Sequence, residues 1–294
     1  MDLVNHLSDR LLFAIPKKGR LYAKTLSLLA GSDLSFHRDN RLDIALVKNL
    51  PIALVFLPAA DIPRYVGEGN VDLGITGQDQ ILESEMNEKV EEVLGLGFGD
   101  CKLQVQVPEN GVITAVEQLV GKRIVTSFGV LTKRFFENWD PNGSTAIKNA
   151  SGSVEAACAL GLADGIVDLV ESGETMKAAG LKPIHTLLTT TAVLIASKHP
   201  RFADLQKTII SRIRGVIVAK QYCLVTYNIE RSILSQATAI TPGKRAPSII
   251  SLDAPGWVAV QAMVLKKECA KKMDELEIVG AVDILVVGID NSRA

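Results

Sequence analysis

Between residues 10 and 219 short, continuously apolar runs give way again and again to small-residue turns and then to stretches of helical periodicity. This alternation constrains the fold more than any other feature. Leu11 to Ile15, Ile52 to Leu57, Arg123 to Thr126, Gly165 to Val170 and Leu187 to Ser197 read as strands. Continuous rather than alternating hydrophobicity fits strands covered on both faces. Phe202, Leu205, Ile209, Ile213 and Val216 mark one face of a long helix. Such a pattern predicts α/β architecture with mostly parallel sheets. The glycine run Gly95-Leu96-Gly97-Phe98-Gly99 precedes an alternating strand, Cys101 to Val107, and not a helix. It is therefore read as a crossing between two lobes, not as a dinucleotide loop. Thr114 and Glu117 have the spacing of a capping box for a helix stopped at Gly121.

After Lys220 the pattern changes. Tyr222 to Ile229 is a strand, Glu230 to Ala239 a helix, Ser248 to Leu252 and Trp257 to Leu265 two further strands, Lys266 to Leu276 a helix and Asp283 to Ile289 a last strand. That β-α-β-β-α-β order is ferredoxin-like.

A formal net charge of −1 gives no global attraction to nucleic acid or anionic membrane. No apolar run reaches the roughly 20 residues that span a bilayer, and Met1 to Arg10 lacks the features of a secretory signal, so a cytoplasmic protein is expected. Cys101, Cys158, Cys223 and Cys269 form no Cys-x-x-Cys pair, and His6, His37, His185 and His199 show no ligand spacing. Zinc hydrolysis and Ser-His chemistry are correspondingly disfavoured.

The stretch with most chemistry is Asp164 to Met176. An apolar strand there ends in Ser172-Gly173-Glu174-Thr175, a turn whose backbone N–H groups and two hydroxyls suit a phosphate; a plain turn capped by Ser172 is the alternative. Asp168 and Glu171 repel a bare phosphate, so they make better sense as holders of magnesium or sugar hydroxyls beside it. Lys17, Lys18 and Arg20 around Gly19 form a solvated basic turn or a cationic mouth for a polyanion. In Val71 to Asp79 a strand again runs into a small-residue turn, where Gly77 permits close approach and Asp72 and Asp79 either orient a ligand or only shape the turn. Phe128 reads as a purine platform or a core side chain, and Lys133 and Arg134 as phosphate contacts or surface charges.

Taken together, Asp168 to Met176 with Glu155 and Gly161, Lys18-Gly19-Arg20-Leu21, Asp61-Ile62-Pro63, Val71 to Gly77, Lys122-Arg123-Ile124 and Gly152 to Glu155 resemble, in order and over essentially the whole chain, the ATP phosphoribosyltransferases that open histidine biosynthesis. The resemblance implies two periplasmic-binding-protein-like lobes plus a C-terminal ferredoxin-like βαββαβ regulatory domain. It places the first lobe at residues 1–97 with 181–219, the second, carrying the phosphoribosyl-pyrophosphate motif, at 98–180, and a histidine-binding domain at 220–294. The implied reaction joins N1 of ATP to the anomeric carbon of phosphoribosyl pyrophosphate, with Mg2+ as cofactor. By the same resemblance Asp168, Glu155, Lys18 and Arg20 are catalytic, and Asp168, Glu171, Ser172, Gly173, Glu174 and Thr175 hold phosphoribosyl pyrophosphate. Lys18, Arg20, Asp72, Thr76, Gly77, Phe128 and Lys133 serve ATP, and Asp168 and Glu171 serve the metal. Asn228, Ser248 and Asp283 are expected to hold inhibitory histidine between paired domains. The tail matches the long form of the family, a homo-oligomer (dimer and hexamer) that needs no separate regulatory subunit. Pro58 stands where many relatives have an arginine, and Phe128 where a tyrosine is frequent. The competing reading is a two-lobed small-ligand sensor without catalysis.

Overall fold

The computed structural model describes residues 7–38, 42–150 and 152–293, so His6 and most of the Met1–Arg10 stretch lie outside it. In chain order the elements are β1 (Leu11–Pro16), α1 (Tyr22–Gly31), β2 (Ile44–Leu46), β3 (Ile52–Leu57), α2 (Ile62–Gly67), β4 (Leu73–Gly77), α3 (Gln78–Glu83) and β5 (Val90–Gly95). There follow β6 (Cys101–Pro108), β7 (Arg123–Thr126), α4 (Gly129–Glu137), β8 (Ala146–Asn149), α5 (Ala156–Ala159), β9 (Gly165–Val170), α6 (Glu174–Ala178), β10 (Leu181–Thr190), β11 (Ala192–Ser197) and α7 (Ala203–Gln221). The chain closes with β12 (Tyr222–Glu230), α8 (Leu234–Ile240), β13 (Ser248–Ser251), β14 (Trp257–Leu265), α9 (Cys269–Ile278) and β15 (Val282–Gly288). Two compact units result, residues 1–27 with 34–206 and residues 28–33 with 207–294.

The first unit contains two sheets, ordered β2-β3-β1-β4-β11-β5 and β10-β6-β9-β7-β8. Strand β1 pairs in parallel with β3 and β4, and β7 with β8 and β9. The expectation of mostly parallel sheets is corrected by the strands at the crossings: β11 runs antiparallel to β4 and β5, and β6 antiparallel to β9 and β10. Strand β5 leaves the first sheet at Gly95 and β6 starts the second at Cys101, which puts the glycine run at the crossing. The return comes at Thr190–Ala192 and not near residue 181, because β10 still pairs with β6 along its length. The capping-box helix is also shorter than its spacing predicts. Val116–Leu119 is a single 3-10 turn, and Gln118 Oε1, not Glu117, accepts the free amides of Thr114 and Ala115 at 2.7 and 3.3 Å.

In the second unit the sheet order is β13-β14-β12-β15, the ferredoxin-like arrangement of the β-α-β-β-α-β sequence. Strand β12 alternates strictly: Cys223, Val225, Tyr227 and Ile229 are buried with Val258, Val260, Ala237 and Leu276. Each such aliphatic side chain contributes about 1.5–3 kcal/mol on full burial. Tyr227 keeps its hydroxyl inside this core by hydrogen bonding with Thr241 Oγ1 at 2.8 Å.

Candidate active site

Strand β9 lies between β6 and β7, and its apolar side chains enter the core on both faces, Ile166 on one and Val167 on the other. Asp168 interrupts this pattern half-buried. Its Oδ1 accepts from the amide of Leu169 at 2.8 Å, and its carbonyl accepts from Gln106 Nε2 at 3.3 Å. Burial pushes the Asp168 carboxyl above the usual carboxylate range; the Leu169 hydrogen bond opposes this, and the negative charge of Glu155 adds to it. Glu155 reaches this position from the residue preceding α5. A carboxylate whose proton affinity is raised by burial and by a neighbouring negative charge, with little hydrogen bonding to offset it, is a donor suited to a divalent cation or to ribose hydroxyls.

Beyond β9 the backbone turns through Gly173 at φ +80°, a left-handed conformation that a side chain would strain. Ser172 Oγ accepts from the amide of Glu174 at 3.4 Å, so the turn is partly self-capped as the alternative reading required. It also lines a cavity of about 240 Å³ with Glu171, Gly173, Thr175, Met176 and, from the β1–α1 loop, Arg20. Two distant stretches of the sequence therefore share one site. Helix α6 has only five residues, so amides and hydroxyls, not a macrodipole, make the anion-binding surface. Glu171 pairs with Lys24 at 3.6 Å with both side chains about half exposed, which is worth under about 1 kcal/mol. Lys18 is exposed, with no hydrogen-bond or ion-pair partner among the described residues, while Lys17 lies 3.6 Å from Asp43.

Four of the residues expected at ATP lie outside this cavity. Asp72 is 2% exposed and fully engaged: it accepts from the Leu12 amide at 2.8 Å and from Arg201 Nη2 and Nε at 2.8 and 3.1 Å. Thr76 is buried and donates to the Ala59 carbonyl at 2.9 Å, because all of β4 is core. Phe128 is 3% exposed and packs with Leu119, Phe136 and Val167, which leaves no ring face for adenine. Lys133 lines a different cavity of about 480 Å³, with Val130, Phe136 and Asn149. Gly77 does sit beside Arg20, but the close approach it permits is by protein: a Cβ there would lie 2.1 Å from Asp79 Oδ1.

Sequence reasoning passed over two residues. Glu83 accepts the free amides of Val130 and Leu131 at the start of α4, at 2.9 and 3.0 Å. Thr190 binds Asp79 twice, accepting from its amide at 3.0 Å and donating to its Oδ1 at 2.8 Å. Nothing local in the sequence announces contacts between positions so far apart. No group of three or more His, Cys, Asp or Glu side chains gathers as a metal site among the described residues, so a cation here would need ligands from a substrate as well.

In the second unit, Asn228 Nδ2 donates to Asp283 Oδ2 at 2.9 Å. Ser248 lies on edge strand β13, with β14 between it and β12, and lines a cavity of about 610 Å³ with Lys244, Arg245, Gln261, Met263 and Arg293. Strands are spaced by about 4.8 Å, so within one chain Ser248 is about 10 Å from the Asn228 strand and the three residues do not converge.

An α/β scaffold that sets a small-residue turn beside an acid with few partners defines the class of proteins that handle phosphorylated sugars. Residues 58–215 match the family model described as ATP phosphoribosyltransferase, and residues 219–291 match the model described as HisG, C-terminal domain. The chain is 60% identical to the ATP phosphoribosyltransferase of Schizosaccharomyces pombe and 56% identical to that of Saccharomyces cerevisiae, each alignment covering 100% of both chains. Among solved structures it is similar to the ATP phosphoribosyl transferase (HisG:HisZ) complex from Thermotoga maritima, at 26% identity and a TM-score of 0.61, over 71% of this chain and 98% of that one. The chain belongs to the ATP phosphoribosyltransferase family. It is an enzyme that moves the phosphoribosyl group of phosphoribosyl pyrophosphate to N1 of ATP and releases pyrophosphate, the committed step of histidine biosynthesis.

Proposed function

We propose that the Ser172–Thr175 turn holds the ribose 5-phosphate, that Asp168 with Glu155 faces the ribose hydroxyls, and that Arg20 and Lys18 take the pyrophosphate and the ATP polyphosphate. The observation that carries this reading is the shared cavity, where Arg20 lines the same space as Ser172, Gly173 and Thr175. Displacement at the anomeric carbon builds positive charge on the ribose and negative charge on the leaving group, so carboxylates near the sugar and cations near the pyrophosphate are each on the side that lowers the barrier. Adenine N1 already has a lone pair and needs no general base. Holding two substrates in line supplies much of the rate, an effect worth about 7–11 kcal/mol in well-oriented systems.

Mg2+ suits this donor set: Asp168 and Glu155, or Glu171 at the mouth, would supply one or two carboxylates and the substrate phosphates the rest. When bound it would neutralise the leaving pyrophosphate. The same reading places the first lobe at residues 1–97 with about 191–219, the second at about 98–190 and the regulatory domain at 220–294.

Feedback inhibition by histidine belongs to the tail. A second copy would bring Ser248 of one chain towards Asn228 and Asp283 of another, in keeping with a homo-oligomer (dimer and hexamer). The Thermotoga chain is almost wholly matched by 71% of this one, which supports a tail that stands in for a separate regulatory subunit. Among the described residues no helix is long and apolar enough to cross a membrane, in keeping with a cytoplasmic enzyme. The test is Asp168→Ala combined with Thr175→Val, assayed by pyrophosphate release from ATP, phosphoribosyl pyrophosphate and magnesium. Loss of turnover is expected; intact catalysis and substrate affinity would sink the assignment.

A further inference from the structure

Arg20 owes its place in the cavity to residues that do not line it. Its Nη1 donates to the Gly99 carbonyl at 2.6 Å and its Nη2 lies 3.4 Å from Asp79 Oδ1. Its remaining N–H groups have no protein acceptor among the described residues, so a ligand in the cavity finds donors free. Asp79 is fully buried, and among the described residues the cation paired with it is Arg20. A buried carboxylate is costly unless it is paired and hydrogen-bonded. Here Thr190, itself 2% exposed, donates to Oδ1 at 2.8 Å and accepts from the Asp79 amide at 3.0 Å, and with Gln80 Nε2, which donates to Oδ2 at 2.9 Å, it orients the carboxylate.

One anchor of Arg20 and the residue that orients the other stand at the sheet crossings. Gly99 lies in the segment from β5 to β6, and Thr190 ends β10 just before β11. Thr191 Oγ1 donates to the Phe98 carbonyl at 3.0 Å and the Ala192 amide to the same carbonyl at 3.0 Å, tying the two crossing segments to each other. The guanidinium is also packed to fit. A Cβ at Gly99, which has φ +76°, would come within 3.1 Å of Arg20 Nη1, and one at Gly77 within 3.3 Å of Nη2.

We propose that Asp79 and Thr190 are positioning residues, which act through Arg20 to hold its guanidinium where it receives the phosphoryl groups of phosphoribosyl pyrophosphate. The proposal rests on the preceding assignment of the cavity, and the experiment separates the two. In the full chain, Thr190→Val removes the hydroxyl that orients Asp79, whereas Thr190→Ser keeps it. The expected result is a KM for phosphoribosyl pyrophosphate raised about tenfold by Thr190→Val, the scale of one oriented charge-assisted hydrogen bond. Thr190→Ser restores the parent value, and kcat and the KM for ATP move little. In an Arg20→Ala background Thr190→Val has no further effect on that KM, because the residue through which it acts is gone.

Arg20→Ala without effect on phosphoribosyl pyrophosphate would refute the cavity assignment. An effect of Arg20→Ala with none from Thr190→Val would refute the positioning role alone. Equal losses in the Val and Ser variants, or losses that add to Arg20→Ala, would overturn it as well. Should Thr190→Val not fold, Asp79→Asn carries the same comparison: it removes the charge that holds Nη2 and keeps the shape, and it is expected to raise the same KM in the parent but not in Arg20→Ala.

Discussion

Replacing Phe128 by alanine separates a core role from an adenine-stacking role, because the two predict opposite patterns of stability and affinity. The ring is 3% exposed and packs against Leu119, Phe136 and Val167, with Leu103, Val105 and Ile124 in the same cluster. Truncating such a ring removes its transfer free energy and leaves a cavity, together about 3–5 kcal/mol. For a unit of this size that corresponds to a fall in melting temperature of about 6–20 °C, at roughly 2–4 °C per kcal/mol. The assay is thermal unfolding by circular dichroism alongside initial rates with ATP varied at saturating phosphoribosyl pyrophosphate. Held below its melting temperature, the variant is expected to keep its KM for ATP within about twofold. Lost stacking instead costs about 1–3 kcal/mol of affinity, hence a KM higher by about fivefold or more. An unchanged melting temperature with such a rise in KM would refute the core placement.

Arg201→Ala leaves the buried Asp72 with only the Leu12 amide as partner. A loss of roughly 2–3 kcal/mol is expected on denaturant titration, the lower side for a broken buried pair because the Arg201 side chain is 43% exposed, with both KM values unchanged. The raised pKa of Asp168 means that the folded enzyme retains a proton there at pH values where the unfolded chain, near 3.9, has lost it. Ionising Asp168 therefore costs stability as pH rises from about 3.9 through the raised value. Asp168→Asn should flatten the stability–pH curve in that window, and a slope identical to the parent's would contradict the burial argument. Asp283→Ala in the full chain should lose histidine inhibition and keep kcat; inhibition that persists unchanged would remove Asp283 from the regulatory site.

Burial on both faces writes itself as an unbroken apolar run, so Ile52–Leu57 was legible with its observed ends, whereas the run read as Leu187 to Ser197 joins the end of β10 to β11 in the other sheet. Strand directions were not legible. Whether β11 runs with or against β4 depends on which segment returns through the crossing, and nothing in Ala192–Ser197 encodes this. The end of the second sheet was misplaced for a related reason: β10 carries register irregularities near Pro183 and Leu188, which blur the alternation that would have marked it as one long strand. The β-α-β-β-α-β tail was legible throughout, since β12 and β14 alternate cleanly between a covered and an open face.

Within the site, the contrast between Asp72 and Asp168 shows what one-dimensional reading lacks. Each is a lone acid in an apolar segment, and each invites a functional role on that ground. Asp72 is answered three times by the protein itself, by both donors of Arg201 from 129 positions away and by the Leu12 amide, so its charge is spent on the fold. Asp168 is answered only by the adjacent Leu169 amide among the described residues and faces the like charge of Glu155, so its charge remains uncompensated. An acid of the first kind holds the chain together, and one of the second kind needs something the chain does not contain. The distinction follows from the sign of the surrounding field, which depends on residues remote in sequence. It explains why the Ser172–Thr175 turn shows in the local sequence while the partners of Asp72 do not.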